Sequence, residues 1–476
     1  MQRNDIVNAS SLVAGKAVAG SGFVVVRSPY DGAEAGRVAT ASRADVEASV
    51  AAARAFRDTP TRYERSRILE STRMAIEAQR EEMARLITSE SGLALRETRY
   101  EVGRTLEVLR CAAMEALRDD GQIFSADISA QGKARKIFTT REPWPCAAAI
   151  TPFNHPLNQV AHKVAPAIAA GTPLVLKPSE KTPLTAFKFA ELLYAAGLPA
   201  PMLSVLVGAT NEVAEPLAAH PGVDVVAFTG SVAVGKRIAA TAGYKKVVLE
   251  LGGNDPLIVL NDAELELAVT LAAEGSYRNS GQRCTAVKRI LVEEGIAEEF
   301  TRRLVERTRE YRCGDPLDEN TRVGTVIDEA SAAYLERVVN EAVAAGAKVL
   351  AGGKRRGAVM EPTVIANVPR DSQMVVCESF GPLAPILKVR DLDDALEVAN
   401  STAYGLSSGV VTTNLQSAIK AIKTLRCGTV NINEIPGFRT ENSPFGGIKD
   451  SGLGVKEGVI EAIKGYSYVK TFSLPW

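Results

Sequence analysis

Histidine is scarce in this chain, and its cysteines are scattered. Only 3 of the 476 residues are histidine, which gives little support to a histidine-rich metal site or a Ser-His-Asp hydrolase. The 6 cysteines include no CxxC pair and no zinc-ligand spacing, so we expect no bound metal and free thiols in a reducing compartment. One cysteine therefore has to be considered as a nucleophile.

Net charge and long apolar runs are also lacking. The 56 basic and 56 acidic residues cancel, so no overall field attracts nucleic acid or an anionic membrane surface. No stretch approaches the roughly 18 consecutive apolar residues of a spanning helix, and the first residues, MQRNDIVNASSLVAGK, contain no apolar signal segment. We therefore expect a cytoplasmic protein with no membrane or nucleic-acid partner.

The composition is that of an ordinary folded protein. Hydrophobic residues make up 46% and charged residues 24% of the chain, which leaves ample apolar material for a core. A length of 476 residues exceeds what one compact core usually holds, so we expect two or three domains.

The order of periodic segments predicts an α/β protein. Residues 1–120 are predicted to be mainly helical, because apolar positions recur at helical spacing in ADVEASVAAARAF and TRYEVGRTLEVLRCAAMEAL. From 146 to 251, helical segments alternate with short apolar ones such as CAAAI, PLVLK, VDVVAF and KVVLEL, the pattern of a doubly wound parallel sheet. Residues 256–432 repeat this alternation, which predicts a second α/β domain and a functional site between the two.

Residues 121–142 differ from their surroundings. Two β-rich arms around Gly132 predict a projecting hairpin, and the C-terminal GYSYVKTFSLPW alternates like a strand that could pair with it. Exposed strand edges need cover, so the hairpin either pairs with another subunit or folds onto its own domain.

Cys284 differs from the other cysteines in its setting. It lies in the polar loop NSGQRCTAVKRI, with Arg283 beside it and Lys288 and Arg289 nearby, and cations favour the reactive thiolate. The alternative is a buried cysteine that acts only as a small apolar side chain.

Several polar residues follow predicted strands, where parallel sheets bind ligands. Glu250 ends KVVLE ahead of two glycines and is a candidate base or a simple strand cap. Asn154 in TPFNHP could donate to an oxyanion or form a turn before proline. FTGSVAVGK, residues 228–236, could receive a pyrophosphate at a helix start, although it lacks GxGxxG. Lys177 and Glu180 could bond ribose hydroxyls or be solvated.

Seven motifs in this order resemble the aldehyde dehydrogenase superfamily across nearly the whole chain: ITPFN (150–154), KPSE (177–180), FTGS (228–231), ELGG (250–253), GQRC (281–284), ESFGP (378–382) and PFGGIKDSGLG (444–454). The resemblance implies that Cys284 is the nucleophile. Asn154 and the Cys284 backbone N–H would hold the oxyanion of a thiohemiacetal, and Glu250 would activate the water that hydrolyses the thioester.

The resemblance also implies NAD as the cofactor. Lys177 and Glu180 would meet the adenosine ribose, Ser231 the pyrophosphate and Glu378 the nicotinamide ribose. The full set of implied cofactor-binding residues is Thr151, Pro152, Phe153, Lys177, Ser179, Glu180, Gly208, Phe228, Thr229, Gly230, Ser231, Leu251, Gly252, Glu378 and Phe380.

The implied architecture has three parts. A Rossmann-like doubly wound cofactor domain comprises residues 1–120 and 143–252, and an α/β catalytic domain comprises 253–440. A small β oligomerisation element comprises 121–142 and 463–476, which implies a homodimer or homotetramer.

Three longer segments, TPFNHPLNQVAHKVAP, GQRCTAVKR and FRTENSPFGGIKDSGLG, are most similar to phosphonoacetaldehyde dehydrogenases, which implies oxidation of phosphonoacetaldehyde to phosphonoacetate. A small anionic aldehyde needs cations around it, and the candidates are Arg283, Arg439, His155 and Arg104, the last on a helix that in this family borders the substrate entrance.

Other members of the superfamily stay open as alternatives. They are non-phosphorylating glyceraldehyde-3-phosphate, lactaldehyde and succinate-semialdehyde dehydrogenases. CoA-acylating members often lack the carboxylate that matches Glu250, and a non-catalytic member would be expected to lack the nucleophile or the base.

Overall fold

The computed structural model describes residues 7–20 and 22–476, so the first six residues of the predicted cofactor domain lie outside the described residues. In this range the strands form two sheets of seven strands, two of three and one of two. The α-helices are Arg43–Ala55, Arg62–Ala78, Arg80–Ser91, Leu95–Ala116, Asn158–Ala170, Leu184–Ala195, Glu215–Ala219, Val232–Ala242, Leu265–Tyr277, Ala297–Thr308, Glu329–Ala344, Gln373–Val376, Leu392–Asn400, Leu415–Thr424 and Val459–Gly465.

The first sheet contains the alternating segments predicted between residues 146 and 251. Its order is Lys246–Glu250, Val225–Thr229, Ala147–Ile150, Leu174–Lys177, Leu203–Val205, Leu12–Val13 and Lys16–Ala17, of which the first five are parallel and the last two antiparallel. Ala147 and Ala149 pack into one apolar core, whereas Ala148 and Ile150 pack into another on the opposite face. Both faces of this sheet are covered, which confirms the predicted doubly wound arrangement.

The second sheet contains the predicted second α/β region. Its order is Lys348–Ala351, Thr363–Ala366, Leu383–Val389, Val287–Glu293, Asp255–Val259, Ser407–Val411 and Thr429–Ile432, and all pairings except the first are parallel. Leu257 and Val259 point into one core and Ile258 into another, so this sheet is also covered on both faces.

A third, antiparallel sheet joins the predicted hairpin to the C-terminal strand. Ile123–Ser125 pairs with Arg135–Pro143, and Ser467–Pro475 pairs with the other edge of Arg135–Pro143 along its whole length. The predicted hairpin and its pairing with the tail are therefore confirmed.

The prediction of a mainly helical N-terminal layer was wrong for the described residues before Arg43. Val7–Ser10, Phe23–Arg27 and Glu34–Ala39 form a three-stranded sheet, since β-branched residues such as those in FVVVR favour strands. The helices begin only after Ser42, whose hydroxyl and the Asp45 carboxylate form a reciprocal capping box.

The two large sheets meet end to end. The chain leaves the carboxyl end of the first sheet at Glu250 and enters the amino end of the second at Asp255. Cys284 precedes the strand Val287–Glu293 and so lies at the same amino end. The topology thus places Glu250 and Cys284 at facing edges. No helix in the described part of the chain is long and apolar enough to span a membrane.

Candidate active site

The loop that carries Cys284 has a strained backbone. Three consecutive residues, Asn279, Ser280 and Gly281, have positive φ angles of 57°, 54° and 69°. Such conformations cost energy in non-glycine residues and persist where the surroundings hold them. Here the Gln282 side chain accepts a hydrogen bond from the backbone N–H of Ile327 at 2.9 Å, which ties the loop to the second half of the chain.

Burial dominates the acidity of the Cys284 thiol. Burial raises the pKa of Cys284 to about 11, although the nearby cations Lys288 and Arg439 oppose this. The cations thus act in the direction that the sequence indicated, but burial outweighs them and disfavours the thiolate at Cys284.

The two arginines near Cys284 in the sequence differ: Arg289 is held by backbone carbonyls elsewhere, whereas Arg283 lies near enough for Cys284 to oppose the lowering of its pKa by burial. The Arg289 guanidinium donates to the carbonyls of Asn254, Val398 and Ala399. Arg283 donates through Nη2 to the carbonyl of Gly275 at 2.6 Å, while its Nε is buried without a hydrogen-bond partner in the described residues. Arg289 is thus structural, and Arg283 is held at the end of a helix with donors to spare.

Glu250 is a buried carboxylate that lacks hydrogen bonds. Neither of its carboxylate oxygens has a partner among the described residues. Burial and the nearby Glu457 carboxylate raise the pKa of Glu250 well above its usual range, and Lys163 opposes this. A buried carboxylate with free lone pairs and a raised pKa is suited to accept a proton from water or from a thiol.

Glycines make room for this carboxylate and for the nucleophile loop. A Cβ on Gly446 would lie 2.5 Å from Glu250 Oε1, and a Cβ on Gly253 would lie 2.7 Å from the Cys284 carbonyl oxygen. Contacts this short exclude a side chain at either position. The glycines of PFGG and ELGG are therefore needed because the motifs pack directly against the base and the nucleophile loop.

Asn154 is attached to the nucleophile loop. Its side-chain amide donates to the carbonyl of Gln282 at 2.8 Å, and Asn279 donates to the Asn154 carbonyl at 3.0 Å. Because a side-chain amide has two N–H bonds, one remains for another acceptor. This arrangement is compatible with the predicted oxyanion role, which stays a prediction.

The predicted cofactor-binding residues lie mainly along the carboxyl edge of the first sheet. Strand order reverses between Ala147–Ile150 and Val225–Thr229, the point at which such sheets bind ligands. The hydroxyls of Thr151 and Thr229, which follow or end these strands, are buried without partners in the described residues. Ser231 caps the next helix, where backbone N–H groups favour an anion.

Further predicted residues fit a dinucleotide at this edge. Lys177 and Glu180 form an ion pair of 2.5 Å, with the Glu180 side chain partly exposed at 35%. Phe153 and Phe380 lie edge to face with ring centroids 5.9 Å apart. Pro152, Ser179, Gly208, Phe228, Gly230 and Leu251 occupy the ends of the parallel strands or the turns after them. The unpartnered hydroxyls of Thr151 and Thr229 and the helix start at Ser231 fit a nicotinamide dinucleotide. The roles of the individual residues stay predictions.

Glu378 links the cofactor edge to the second half of the chain. Its Oε1 accepts from the backbone N–H of Gly253 at 3.2 Å and pairs with Lys288 at 3.2 Å. A Cβ on Gly252 would lie 2.2 Å from Glu378 Oε2, so this carboxylate packs against the backbone that follows Glu250.

The four predicted substrate-binding residues cluster. Arg104, Arg283 and Arg439 lie near enough to His155 to act on its imidazole, as does Arg278, which the sequence did not single out. Burial together with these cations lowers the pKa of His155 well below its usual range. Burial and these arginines therefore disfavour the cationic form predicted for His155, and its role at the substrate stays a prediction.

Two of these arginines are already neutralised. Arg104 makes a bidentate pair with Glu441, at 2.6 and 3.1 Å, so its predicted availability to substrate is corrected to one remaining nitrogen, Nη1. Arg278 pairs with Glu97 at 3.3 Å. By contrast, neither Arg283 nor Arg439 forms an ion pair with any carboxylate of the described residues.

Sequence reasoning missed several members of this site. Lys163 and Glu457 form a buried ion pair beside Glu250, and His162 shares Glu441 with Arg104. These pairs join residues about 280 to 340 positions apart, so local spacing gave no signal. In the described residues, no group of three or more His, Cys, Asp or Glu side chains could hold a metal ion.

Known proteins resemble this chain along nearly its full length. The profile of the aldehyde dehydrogenase family matches residues 18–472. The chain is 40% identical to a 3-sulfolactaldehyde dehydrogenase from Priestia aryabhattai over 92% of each chain. It is 38% identical to a sulfoacetaldehyde dehydrogenase from Neptuniibacter caesariensis over 86% of this chain and 89% of the relative.

A solved structure shares the fold of this chain. The NAD-dependent aldehyde dehydrogenase from Sinorhizobium meliloti superposes with a TM-score of 0.94 at 36% identity, covering 99% of this chain and 95% of that one. The expected use of NAD agrees with that neighbour. The family match, the shared fold and the full-length relatives agree with one another, and the chain therefore belongs to the aldehyde dehydrogenase family and is an oxidoreductase that acts on aldehydes.

Proposed function

We propose that this enzyme oxidises a small aldehyde with a dianionic end group to the carboxylic acid, with NAD as oxidant and a thioester on Cys284 as intermediate. Phosphonoacetaldehyde is the substrate that we place first. The observation that carries this proposal is the cluster of four arginines around a neutral His155.

The charge balance of that cluster supports a dianion. Glu441 neutralises Arg104 and Glu97 neutralises Arg278, which leaves Arg283 and Arg439 without a carboxylate partner in the described residues. Burying an unpaired cation is costly. A ligand with about two negative charges, as a phosphonate or phosphate group carries near neutral pH, would balance the two remaining guanidinium groups.

Arg439 has the geometry expected of a substrate ligand. Its guanidinium lies over the Phe445 ring at 3.9 Å and has no hydrogen-bond acceptor in the described part of the chain. Burial and Arg104 lower the pKa of Arg439, whereas Glu441, Cys284 and Glu250 oppose this, so both the base and the nucleophile act on this guanidinium. A guanidinium offers paired donors that match phosphonate oxygens.

The chemistry follows from the protonation states. Cys284 loses its thiol proton to solvent, and the thiolate attacks the aldehyde carbon. Asn154 and the Cys284 N–H donate to the oxyanion of the thiohemiacetal. Bound NAD would supply the hydride acceptor for the step that turns this adduct into a thioester on Cys284. Glu250 then takes a proton from water, which attacks the thioester and releases the acid.

The residues at the first sheet support NAD as the oxidant. The Glu180 carboxylate can accept from the two free hydroxyls of an adenosine ribose and would repel a 2′-phosphate. Lys177 pairs with Glu180 at 2.5 Å and reduces that repulsion, so we infer a preference for NAD rather than an absolute one.

A sulfonated aldehyde is the second candidate. The relatives named for 3-sulfolactaldehyde and sulfoacetaldehyde cover most of this chain at 38 to 40% identity, and a sulfonate has the same tetrahedral set of acceptor oxygens. A sulfonate carries one negative charge, however, and leaves one of the two unpaired arginines uncompensated.

The third sheet supports a homodimer or homotetramer. It exposes Ile123, Phe124, Val469, Phe472 and Trp476, each at least 41% accessible. Apolar residues along exposed strands favour association with another subunit. Light scattering coupled to size-exclusion chromatography should give two or four times 50.6 kDa, and a monomer would contradict this part of the proposal.

The function is tested by comparing kcat/KM with NAD for phosphonoacetaldehyde, sulfoacetaldehyde, glyceraldehyde-3-phosphate, lactaldehyde, succinate semialdehyde and propionaldehyde. We expect phosphonoacetaldehyde to be oxidised most efficiently and the monoanionic aldehydes to follow. A preference for sulfoacetaldehyde would select the second candidate. A preference for propionaldehyde would contradict the anion site.

A further inference from the structure

Two consecutive cations are buried in one strand next to the nucleophile loop. Lys288 and Arg289 lie in Val287–Glu293, and each is only 1% exposed. Adjacent residues of a strand face opposite sides of a sheet, and the partners of the two differ accordingly. Arg289 bonds carbonyls on one side, as described above, whereas Lys288 donates to the loop that carries Cys284.

Every donor of the Lys288 ammonium is used. Its Nζ donates to the carbonyls of Arg283 and Cys284, at 2.8 and 2.7 Å, and pairs with Glu378 Oε1 at 3.2 Å. An ammonium has three N–H bonds, and a buried one is tolerated only when it is paired and hydrogen-bonded. All three N–H bonds of the Lys288 ammonium therefore have acceptors only where the side chain lies now. In that place the ammonium holds the carbonyls of two consecutive peptide groups.

Fixing the Arg283 carbonyl also fixes the Cys284 N–H. The two groups belong to the same peptide plane and point in opposite directions, because the described part of the chain contains no cis peptide bond. The carbonyl accepts from Lys288 at 2.8 Å and from the backbone N–H of Ala286 at 3.1 Å, so the N–H points away from both donors. In the described residues this N–H donates to no acceptor, which leaves it available to a developing oxyanion.

The Cys284 carbonyl has little freedom to move elsewhere. It lies between the Lys288 ammonium and the backbone of Gly253, where even a Cβ would be 2.7 Å from the oxygen. Gly253 in turn donates its N–H to Glu378, the other partner of Lys288. One ammonium thus joins the nucleophile loop, the backbone that follows Glu250, and Glu378.

We propose that Lys288 is a positioning residue for aldehyde oxidation, whose ammonium presets the Cys284 N–H to receive the oxyanion and ties Glu378 to the same loop. This inference rests on the proposed function, since it requires Cys284 to be the nucleophile. The residue does not touch the substrate, and it acts through the two peptide groups that it holds.

The test separates orientation from simple charge. Lys288→Met removes the three donors, and Lys288→Arg keeps the charge but replaces a compact donor with a planar fork. Lys449→Met is the control, because the ammonium of this lysine also donates to two backbone carbonyls, those of Asn400 and Thr402. For each variant, kcat/KM for propionaldehyde and the rate of Cys284 alkylation by iodoacetamide are measured from pH 6 to pH 10. Propionaldehyde has no anionic group, so contacts between the substrate and the arginine cluster do not affect its kcat/KM.

We expect kcat/KM to fall by about 10- to 100-fold in both Lys288 variants. Loss of one oxyanion donor lowers kcat by about 10²–10³-fold, and a donor that is only misoriented should lower it by less. In Lys288→Met the alkylation profile shifts to higher pH, because Arg439 is then the remaining cation facing the thiol against Asp255 and Glu378. At each pH the loss in kcat/KM is larger than the loss in the alkylation rate, because alkylation reports only the thiolate fraction. Lys449→Met changes neither profile.

The proposal is overturned if kcat/KM and the alkylation rate of Lys288→Met fall by the same factor at every pH, since Lys288 would then act only on the thiol. It is also overturned if kcat/KM is unchanged at every pH. Should Lys288→Met fail to fold, Lys288→Arg decides, and full activity there contradicts the proposal. A wild-type enzyme that keeps its activity after Cys284 is alkylated would instead defeat the proposed function.

Discussion

Glu250 and Gly446 are in such close contact that a Cβ on Gly446 would lie 2.5 Å from Glu250 Oε1. Gly446→Ala should therefore displace the carboxylate and lower steady-state kcat by about tenfold or more, a part of the 10²–10⁴ that a general base contributes. Gly465→Ala is the control, because nothing lies within 4 Å of that position. Equal kcat in Gly446→Ala and the wild type would show that Glu250 need not occupy this place.

Variants of Cys284 and Glu250 should be blocked at different steps of the reaction. Cys284→Ala removes the nucleophile and should abolish turnover. Glu250→Gln should slow hydrolysis of the thioester most, so that steady-state turnover falls by roughly 10²–10⁴-fold while a pre-steady-state burst of NADH remains. Stopped-flow absorbance with saturating NAD checks this. Normal turnover in either variant would refute the assignment.

The ion pair of Lys163 with Glu457 should set the pH at which Glu250 becomes a base. Burial and Glu457 raise the pKa of Glu250, and Lys163 opposes them. A group with a raised pKa gains its basic form as pH increases, so activity rises along an acid limb. Glu457→Gln should move that limb of the kcat profile to lower pH, and Lys163→Met should move it to higher pH. Shifts in the same direction would contradict this electrostatic account.

Glu180 should determine the cofactor preference. Glu180→Gln removes the charge that would repel a 2′-phosphate and leaves Lys177 without its 2.5 Å partner, so kcat/KM with NADP should rise relative to NAD by about tenfold, the size of one 1.4 kcal/mol charge interaction. Glu191→Gln is the control, since that side chain is 70% exposed and only 3.7 Å from Lys188. If the ratio of kcat/KM with NADP to that with NAD is unchanged in Glu180→Gln, the 2′-hydroxyl of the ribose does not bind next to Glu180.

The sequence alone was sufficient for features that depend on local order. The alternation of CAAAI, PLVLK and KVVLEL predicted the first sheet because buried parallel strands are continuously apolar. The β-rich arms around Gly132 predicted the hairpin, and the seven ordered motifs indicated the family. Three of the strands before Arg43, Val7–Ser10, Phe23–Arg27 and Glu34–Ala39, pair with one another and were missed although FVVVR carries a local strand signal. Leu12–Val13 gave no such signal, because its partner Leu203–Val205 is far along the chain.

Protonation states and charge partners could not be predicted in this way. The cations around Cys284 are visible in the sequence, but burial that outweighs them depends on the packed loop. In the same way His155 looks like a cation until four arginines surround it. Glu441, which occupies Arg104, lies 337 positions away, and no local pattern connects the two residues.

The most direct measurement of the central claim compares wild type and Arg439→Met with phosphonoacetaldehyde and with propionaldehyde, using exposed Arg426→Met as control. A charge-assisted contact contributes about 1.5–3 kcal/mol, or roughly 10- to 150-fold. We predict that Arg439→Met loses this factor in kcat/KM for phosphonoacetaldehyde and changes little for propionaldehyde. Equal losses for both aldehydes, or none, would contradict the assignment of Arg439 to the anionic end of the substrate.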